Sequence, residues 1–108
     1  MKHRFELKRY QDSSKRIPYS EWIRGLDGTT AGRIRSYVGR LNSGNFGISR
    51  SVGRGVVELK IDIGPGYRVY YLRDGFEIVI LLCGGDKSSQ AADILRAQVY
   101  AGDYWERR

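Results

Sequence analysis

The sequence predicts an α+β domain in which an N-terminal strand and a helical hairpin pack on an antiparallel meander sheet, with a C-terminal helix after it. Three observations carry that expectation. Two apolar runs of strand character are bounded by the reversals Gly64-Pro65-Gly66 and Asp74-Gly75, and Asp-Gly between apolar runs is a strong hairpin signal. Ile34, Tyr37, Val38 and Leu41 recur at helical spacing upstream of these runs. The segment after Gly84-Gly85 returns to helical character and continues to Tyr104. At 108 residues the chain fits one domain, 1–108.

The elements follow in order. Arg4 to Tyr10 alternates weakly, with Phe5 and Leu7 on one side and Arg4, Glu6 and Lys8 on the other, which suits a short, charged edge strand. Pro18 opens a helix through about Leu26, because proline is pre-set for a first helical turn; Trp22, Ile23 and Leu26 share its face. Asp27-Gly28 closes that helix, and Thr29 or Thr30 is placed to cap the next. The second helix carries Arg33, Arg35 and Arg40 outward, and residues 42–55, with four glycines, read as a long loop. Strands are then expected near 56–63, 67–73 and 76–83. Ser88 is placed to cap a last helix from about Ser89 to Tyr104, with Trp105, Arg107 and Arg108 fraying.

Register decides which side chains share a face. A three-residue Gly64-Pro65-Gly66 loop sets Ile63 opposite Tyr67, Lys60 opposite Tyr70 and Asp62 opposite Arg68. A two-residue Asp74-Gly75 turn sets Arg68 beside Leu81 and Tyr70 beside Val79. One face then carries Leu59, Ile61, Ile63, Val69, Tyr71, Ile78 and Ile80 as a core. The other carries Glu58, Lys60, Asp62, Arg68 and Tyr70, with Leu72, Val79 and Leu81 needing partial cover.

Composition is 41% hydrophobic and 29% charged, which suits a folded rather than a disordered chain. No run approaches the length of a membrane span, and the basic start through Phe5 lacks the apolar core of a signal peptide. One cysteine, Cys83, rules out an internal disulfide and any multi-cysteine zinc site. One histidine, His3, rules out a histidine metal cluster and reads as solvated terminal sequence. No metal or other cofactor is expected, and the expected location is the cytoplasm. The net charge is +7, and fourteen of nineteen cations are arginine, the side chain whose planar fork suits phosphate. Residues 1–55 hold twelve cations and four acids, while residues 56–108 hold seven and eight. Such a polarised field suits a nucleic acid or an acidic protein.

Several stretches carry a family likeness. Gly55-Val-Val-Glu-Leu-Lys-Ile-Asp-Ile-Gly-Pro-Gly-Tyr-Arg-Val-Tyr-Tyr71 and Val79-Ile-Leu-Leu-Cys-Gly-Gly-Asp-Lys-Ser-Ser-Gln90, with the Asp93–Tyr104 tail, resemble the RelE/ParE toxin superfamily. Within it the chain is similar to the HigB-type, phage Gp49-like branch of addiction-module killer proteins. The resemblance implies the RelE-like form of the fold. It also implies a toxin of a type II toxin–antitoxin system, acting as a metal-independent, ribosome-dependent mRNA endonuclease. The implied partners are the ribosome and mRNA and a cognate helix-turn-helix antitoxin, with DNA reached only through the toxin–antitoxin complex and no membrane involved. Position 60 is Lys where the branch more often has Arg, which keeps the charge but loses the bidentate fork.

Attack of a ribose 2′-OH on its neighbouring phosphodiester needs alignment and stabilisation of the phosphorane charge. Arg68 matches the Tyr-Arg-Val strand position that in the superfamily faces the scissile phosphate, and Lys60 is a second phosphate cation. Asp62 either orients one of these cations or neutralises a neighbour. Lys87 stands at a helix start, where a cation opposes the macrodipole at a cost of about 0.3–1 kcal/mol, yet free N–H groups with an ammonium make a phosphate site. The spacing there is not that of a Walker A loop. Arg68, Lys60 and Lys87 are therefore the catalytic candidates. Arg33 and Arg40 resemble a surface for ribosomal RNA, with solubility as the alternative. Arg50 and Arg54 lie in a loop more basic than the family pattern, so they are RNA-binding candidates by charge alone. Tyr100 either stacks on a base or packs on the sheet. Cys83 reads as an apolar packer, since no histidine is placed to activate it.

The carboxylates Glu58, Asp62 and Asp86 form no convincing acid–base dyad, and no side chain offers a near-neutral pKa, which fits catalysis by positioning on the ribosome. Two rival readings stay open at this point. One is a ParE-like gyrase poison, and the other is a nucleic-acid-binding module without catalysis.

Overall fold

A computed structural model describes residues 4–108, so His3 lies outside the described residues. It is an α+β fold built on a five-stranded mixed sheet. The elements are β1 (Glu6–Arg9), α1 (Pro18–Arg24), α2 (Gly28–Gly39), β2 (Ile48–Ser51), β3 (Val57–Ile61), β4 (Tyr67–Asp74), β5 (Ile78–Asp86) and α3 (Gln90–Arg107). Short 3₁₀ turns, Arg40–Ser43 and Lys87–Ser89, follow α2 and precede α3. The strand order is β1-β5-β4-β3-β2, with β1 parallel to β5 and every other pair antiparallel. No helix among the described residues is long and apolar enough to cross a membrane.

Local chemistry explains the helix ends. Pro18 begins α1. Asp27, rather than Thr29 or Thr30, caps α2: its carboxylate accepts the Thr30 N–H at 2.9 Å and the Thr30 hydroxyl at 2.8 Å. A carboxylate at that position also favours the positive end of the helix dipole. Asp86, rather than Ser88, caps the last helical segment, accepting the Ser88 N–H at 2.8 Å. The C-terminus does not fray. Arg107 pairs with Asp103 at 2.6 Å and Arg108 with Asp74 at 2.5 Å, carrying α3 to Arg107.

The expected loop at 42–55 contains an edge strand, β2. Ile48-Ser-Arg-Ser51 has one apolar residue in four and no readable alternation, so its strand character comes from hydrogen bonding to β3. Both hairpin registers also differ from expectation. Lys60 faces Arg68 and Glu58 faces Tyr70, because the β3–β4 connection takes in Asp62 and Ile63 as well as Gly64-Pro65-Gly66. Gly66, at φ +87°, donates its N–H to the Ile63 carbonyl at 2.8 Å and closes that turn. A two-residue shift keeps every side chain on its expected face.

The β4–β5 change is larger in consequence. The turn holds Gly75, Phe76 and Glu77, and Leu82 is bulged out of the ladder between the pairs Tyr70–Cys83 and Tyr71–Leu81. Arg68 therefore faces Gly85 rather than Leu81, and Tyr70 faces Cys83 rather than Val79. Between the turn and the bulge the shift is three residues, and an odd shift swaps faces. Val79 and Leu81 join the core under α1 and α2, with Leu59, Ile61, Val69 and Tyr71. Ile80 joins Tyr70, Leu72 and Leu82 in the core under α3, against Ala97 and Ala101, with Ile78 packed at its edge.

Both helical layers press on β5 where it lacks side chains. A Cβ on Gly84 would lie 2.3 Å from the Trp22 ring of α1, and one on Gly85 would lie 1.9 Å from Oδ2 of Asp93 on α3. These two glycines set how closely the sheet is sandwiched.

Candidate functional site

The site lies at the β2–β3–β4 side of the sheet, on the face shared with the start of α3. Alternation along β3 sends Glu58 and Lys60 to this face; β4 adds Arg68 and Tyr70, β2 adds Arg50, and α3 adds its first residue, Gln90. Arg50, Glu58, Lys60, Arg68 and Gln90, with Ile48, line a cavity of about 240 Å³.

Glu58 is its hub. The carboxylate is buried and accepts from Arg50 Nε at 2.9 Å, Gln90 Nε2 at 2.9 Å and the Tyr70 hydroxyl at 3.2 Å. Burial pushes its pKa up, but the hydrogen bonds from Arg50 and Gln90 and the Arg50 charge outweigh that, leaving it below the ordinary value. Tyr70 is pushed up, first by burial and then by the Glu58 charge it faces.

Arg68 is only 7% exposed. Its Nη1 donates to the Tyr67 carbonyl at 3.2 Å. Its Nε is buried without a hydrogen-bond partner, 3.7 Å from Glu58 Oε1. A buried guanidinium with an unused donor is costly to hold, and the Glu58 carboxylate beside it supplies the counter-charge. Three cations around one carboxylate leave this cavity electropositive, and arginine forks suit phosphate oxygens.

The sequence candidates separate clearly. Lys60 and Arg68 are opposed across the β3–β4 ladder and line the same cavity, and Arg50 joins them. Lys87 does not line this cavity and reaches its neighbourhood only through the backbone. Its backbone N–H donates to the Gly66 carbonyl at 3.0 Å, and a Cβ on Gly66 would lie 3.6 Å from Arg68 Nη1 and 3.9 Å from Lys87 Cβ. A side chain at Gly66 would thus meet both residues at ordinary contact distance, and its positive φ of +87° is what favours glycine there. Asp62 does not oppose Arg68. It lines a second cavity, of about 230 Å³, together with Arg40.

Arg33 is exposed on α2 and lines neither cavity. Arg54, in the left-handed region at φ +56°, lies along a groove beside α3 with Leu95, Gln98 and Val99. Tyr100 packs: its ring stacks on Tyr10 at 5.0 Å, against the core under α3. Cys83 is buried as expected, and burial pushes its thiol up to about 12. Among the described residues no group of three or more His, Cys, Asp or Glu is placed to hold a metal ion.

Sequence reasoning missed the central role of Glu58 and the contribution of Gln90. The available signal was the alternation of Glu58 with Lys60 on one strand face. Gln90 carried none, since only the docking of α3 brings it to β3.

The chain is 44% identical over 86 residues to an uncharacterized protein of Haemophilus influenzae, a match covering 79% of this chain and 87% of that protein. The chain belongs to that protein's family. No family model and no solved structure matches it. Family membership therefore brings no activity with it, and the chemistry rests on the residues themselves.

Proposed function

We propose that the chain is the toxin of a type II toxin–antitoxin system, of the RelE/ParE superfamily and its HigB-type branch, and that it cleaves mRNA on the ribosome without a metal. The observation that carries this reading is the cavity in which Arg50, Lys60 and Arg68 surround Glu58, with an unused Nε donor on the buried Arg68. The superfamily resemblance of the Gly55–Tyr71 and Val79–Gln90 segments supports it from the side of sequence.

The chemistry is an in-line displacement. The ribose 2′-oxygen forms a bond to phosphorus as it loses its proton, and the P–O5′ bond breaks with the 5′-oxygen gaining one. The products are a 2′,3′-cyclic phosphate and a 5′-hydroxyl. Arg68 and Lys60 neutralise the charge that builds on the non-bridging oxygens, and Lys87, at the start of the last helical segment, is the third cation this reading assigns to the phosphate. Glu58 holds Arg50 and lies against Arg68, so it acts as a positioning residue. With four donors or cations around it, Glu58 is a poor proton acceptor. The antitoxin, the ribosome and mRNA are the partners this reading implies.

The test is inducible expression followed by primer extension on an abundant mRNA. Discrete in-frame cuts that disappear when initiation is blocked are expected. Arg68→Ala and Lys87→Ala should relieve toxicity in protein that circular dichroism shows to be folded. Growth arrest with intact mRNA and inhibited supercoiling would overturn the endonuclease in favour of a gyrase poison. Growth unaffected by soluble protein would overturn the toxin altogether.

A further inference from the structure

The second cavity adjoins the first. Ile48 and Lys60, directly opposed on β2 and β3, line both. On the first side stand the cations around Glu58. On the second stand Tyr37 from α2, Arg40 from the 3₁₀ turn that follows it, Asn45 from the loop before β2, and Asp62 just past β3. Their chemistry differs in kind: one side suits an anion, while the other offers a planar stack, an amide and a carboxylate over the apolar side chains of Ile48 and Leu59.

Each group has a definite capacity. The Arg40 guanidinium lies 4.4 Å from the centroid of the Tyr37 ring, and a guanidinium plane or an aromatic ring is a stacking surface for an unpaired base. The Asn45 side-chain oxygen accepts the Gly47 N–H at 3.1 Å, which leaves its amide nitrogen as the donor. Asp62 is exposed, and an ionised carboxylate only accepts.

We propose that this second cavity is a guanine-specific base site, one step along the polynucleotide from the phosphate held by Arg68 and Lys60. The inference rests on reading the first cavity as a polynucleotide phosphate site. Among the four RNA bases only guanine presents two adjacent donors, N1–H and N2–H, on its Watson–Crick edge, matching the two oxygens of Asp62. Its O6 acceptor beside them takes the Asn45 amide. Adenine, cytosine and uracil each set an acceptor against the carboxylate at one of those two positions, leaving it repelled and unpaired. Lys60, on the wall the two cavities share, stands between the phosphate and that neighbouring base.

The test uses purified full-length protein and the four nucleoside 5′-monophosphates in isothermal titration. Guanosine monophosphate should bind about tenfold or more tightly than the other three, within the range a bidentate base contact provides. Asp62→Asn should bring it level with adenosine monophosphate, while Arg68→Lys should weaken all four alike. Equal affinities in the wild type, no binding of any of the four at millimolar concentration, or a guanine preference that survives Asp62→Asn would each overturn the inference. Cleavage of ribosome-bound mRNA is scored separately. A guanine preference without cleavage upholds the base site and overturns the endonuclease, and cleavage without that preference does the reverse.

Discussion

Oε1 of Glu58 lies 3.7 Å from Nε of Arg68, and that Nε has no hydrogen bond, whereas the exposed Arg50 meets the same oxygen at 2.9 Å. The buried carboxylate is thus better satisfied by the surface arginine than by the buried one. Arg68 keeps a donor in reserve, held by charge rather than by a closed ion pair.

Removing Glu58 should therefore be expensive. Glu58→Ala leaves Arg68 buried without a counter-charge, and breaking such a pair costs about 3–5 kcal/mol. Urea denaturation checks this, and a loss below about 1 kcal/mol would show that Arg68 is solvated in practice. Arg50→Ala, at a largely exposed side chain, should cost far less.

Stability should fall in acid, with Glu58 as one source. Its pKa is lowered in the folded state, so its contribution is complete above the ordinary carboxylate pKa. That contribution is lost as pH falls through the lower folded value. Asp74, lowered first by its hydrogen bond from Arg108, follows the same sign. Denaturation midpoints measured from pH 7 down to pH 3 should decline below about pH 5. The decline should be shallower in Glu58→Gln; equal slopes in the two proteins would remove Glu58 from the account.

Cys83 should be inert. It is buried, and burial raises its thiol to about 12, so little thiolate forms at pH 8. A thiol-reactive disulfide reagent should label the unfolded chain promptly and the native protein only at the rate of opening. Fast labelling of native protein would contradict the packing of α3 on β5.

Gly84→Ala forces a methyl against the Trp22 ring, where 2.3 Å is available. Overpacking of this kind costs about 1–3 kcal/mol. Combining it with Trp22→Leu should recover part of that loss in a double-mutant cycle. Strict additivity would mean that α1 does not bear on the glycine.

Much of the fold was legible in the chain. The β3–β4–β5 meander, both N-terminal helices and the C-terminal helix follow from alternation, helical spacing and turn residues. The likeness of Lys60 and Arg68 as cations of one sheet face was legible too, because a two-residue error in register preserves faces. Three features were hidden. The edge strand β2 lacks an apolar pattern. The Leu82 bulge and the three-residue turn move Val79 and Leu81 to the opposite core, and a count of turn residues does not reveal a bulge. Tyr100 carried two readings until Tyr10 was found stacked against it.

The elements, their order, the basic first half and the cationic strand face depend on residues near one another in the chain, and local patterns were enough to read them. That Arg50, Glu58, Lys60, Arg68 and Gln90 share one cavity, and that Asp62 belongs to the next, emerges only from the folded chain. Those groupings depend on ladder register and on where α3 docks. The close approach of the helices to β5 comes from packing Trp22 and Asp93 against the bare backbone of Gly84 and Gly85, contacts that no local pattern encodes.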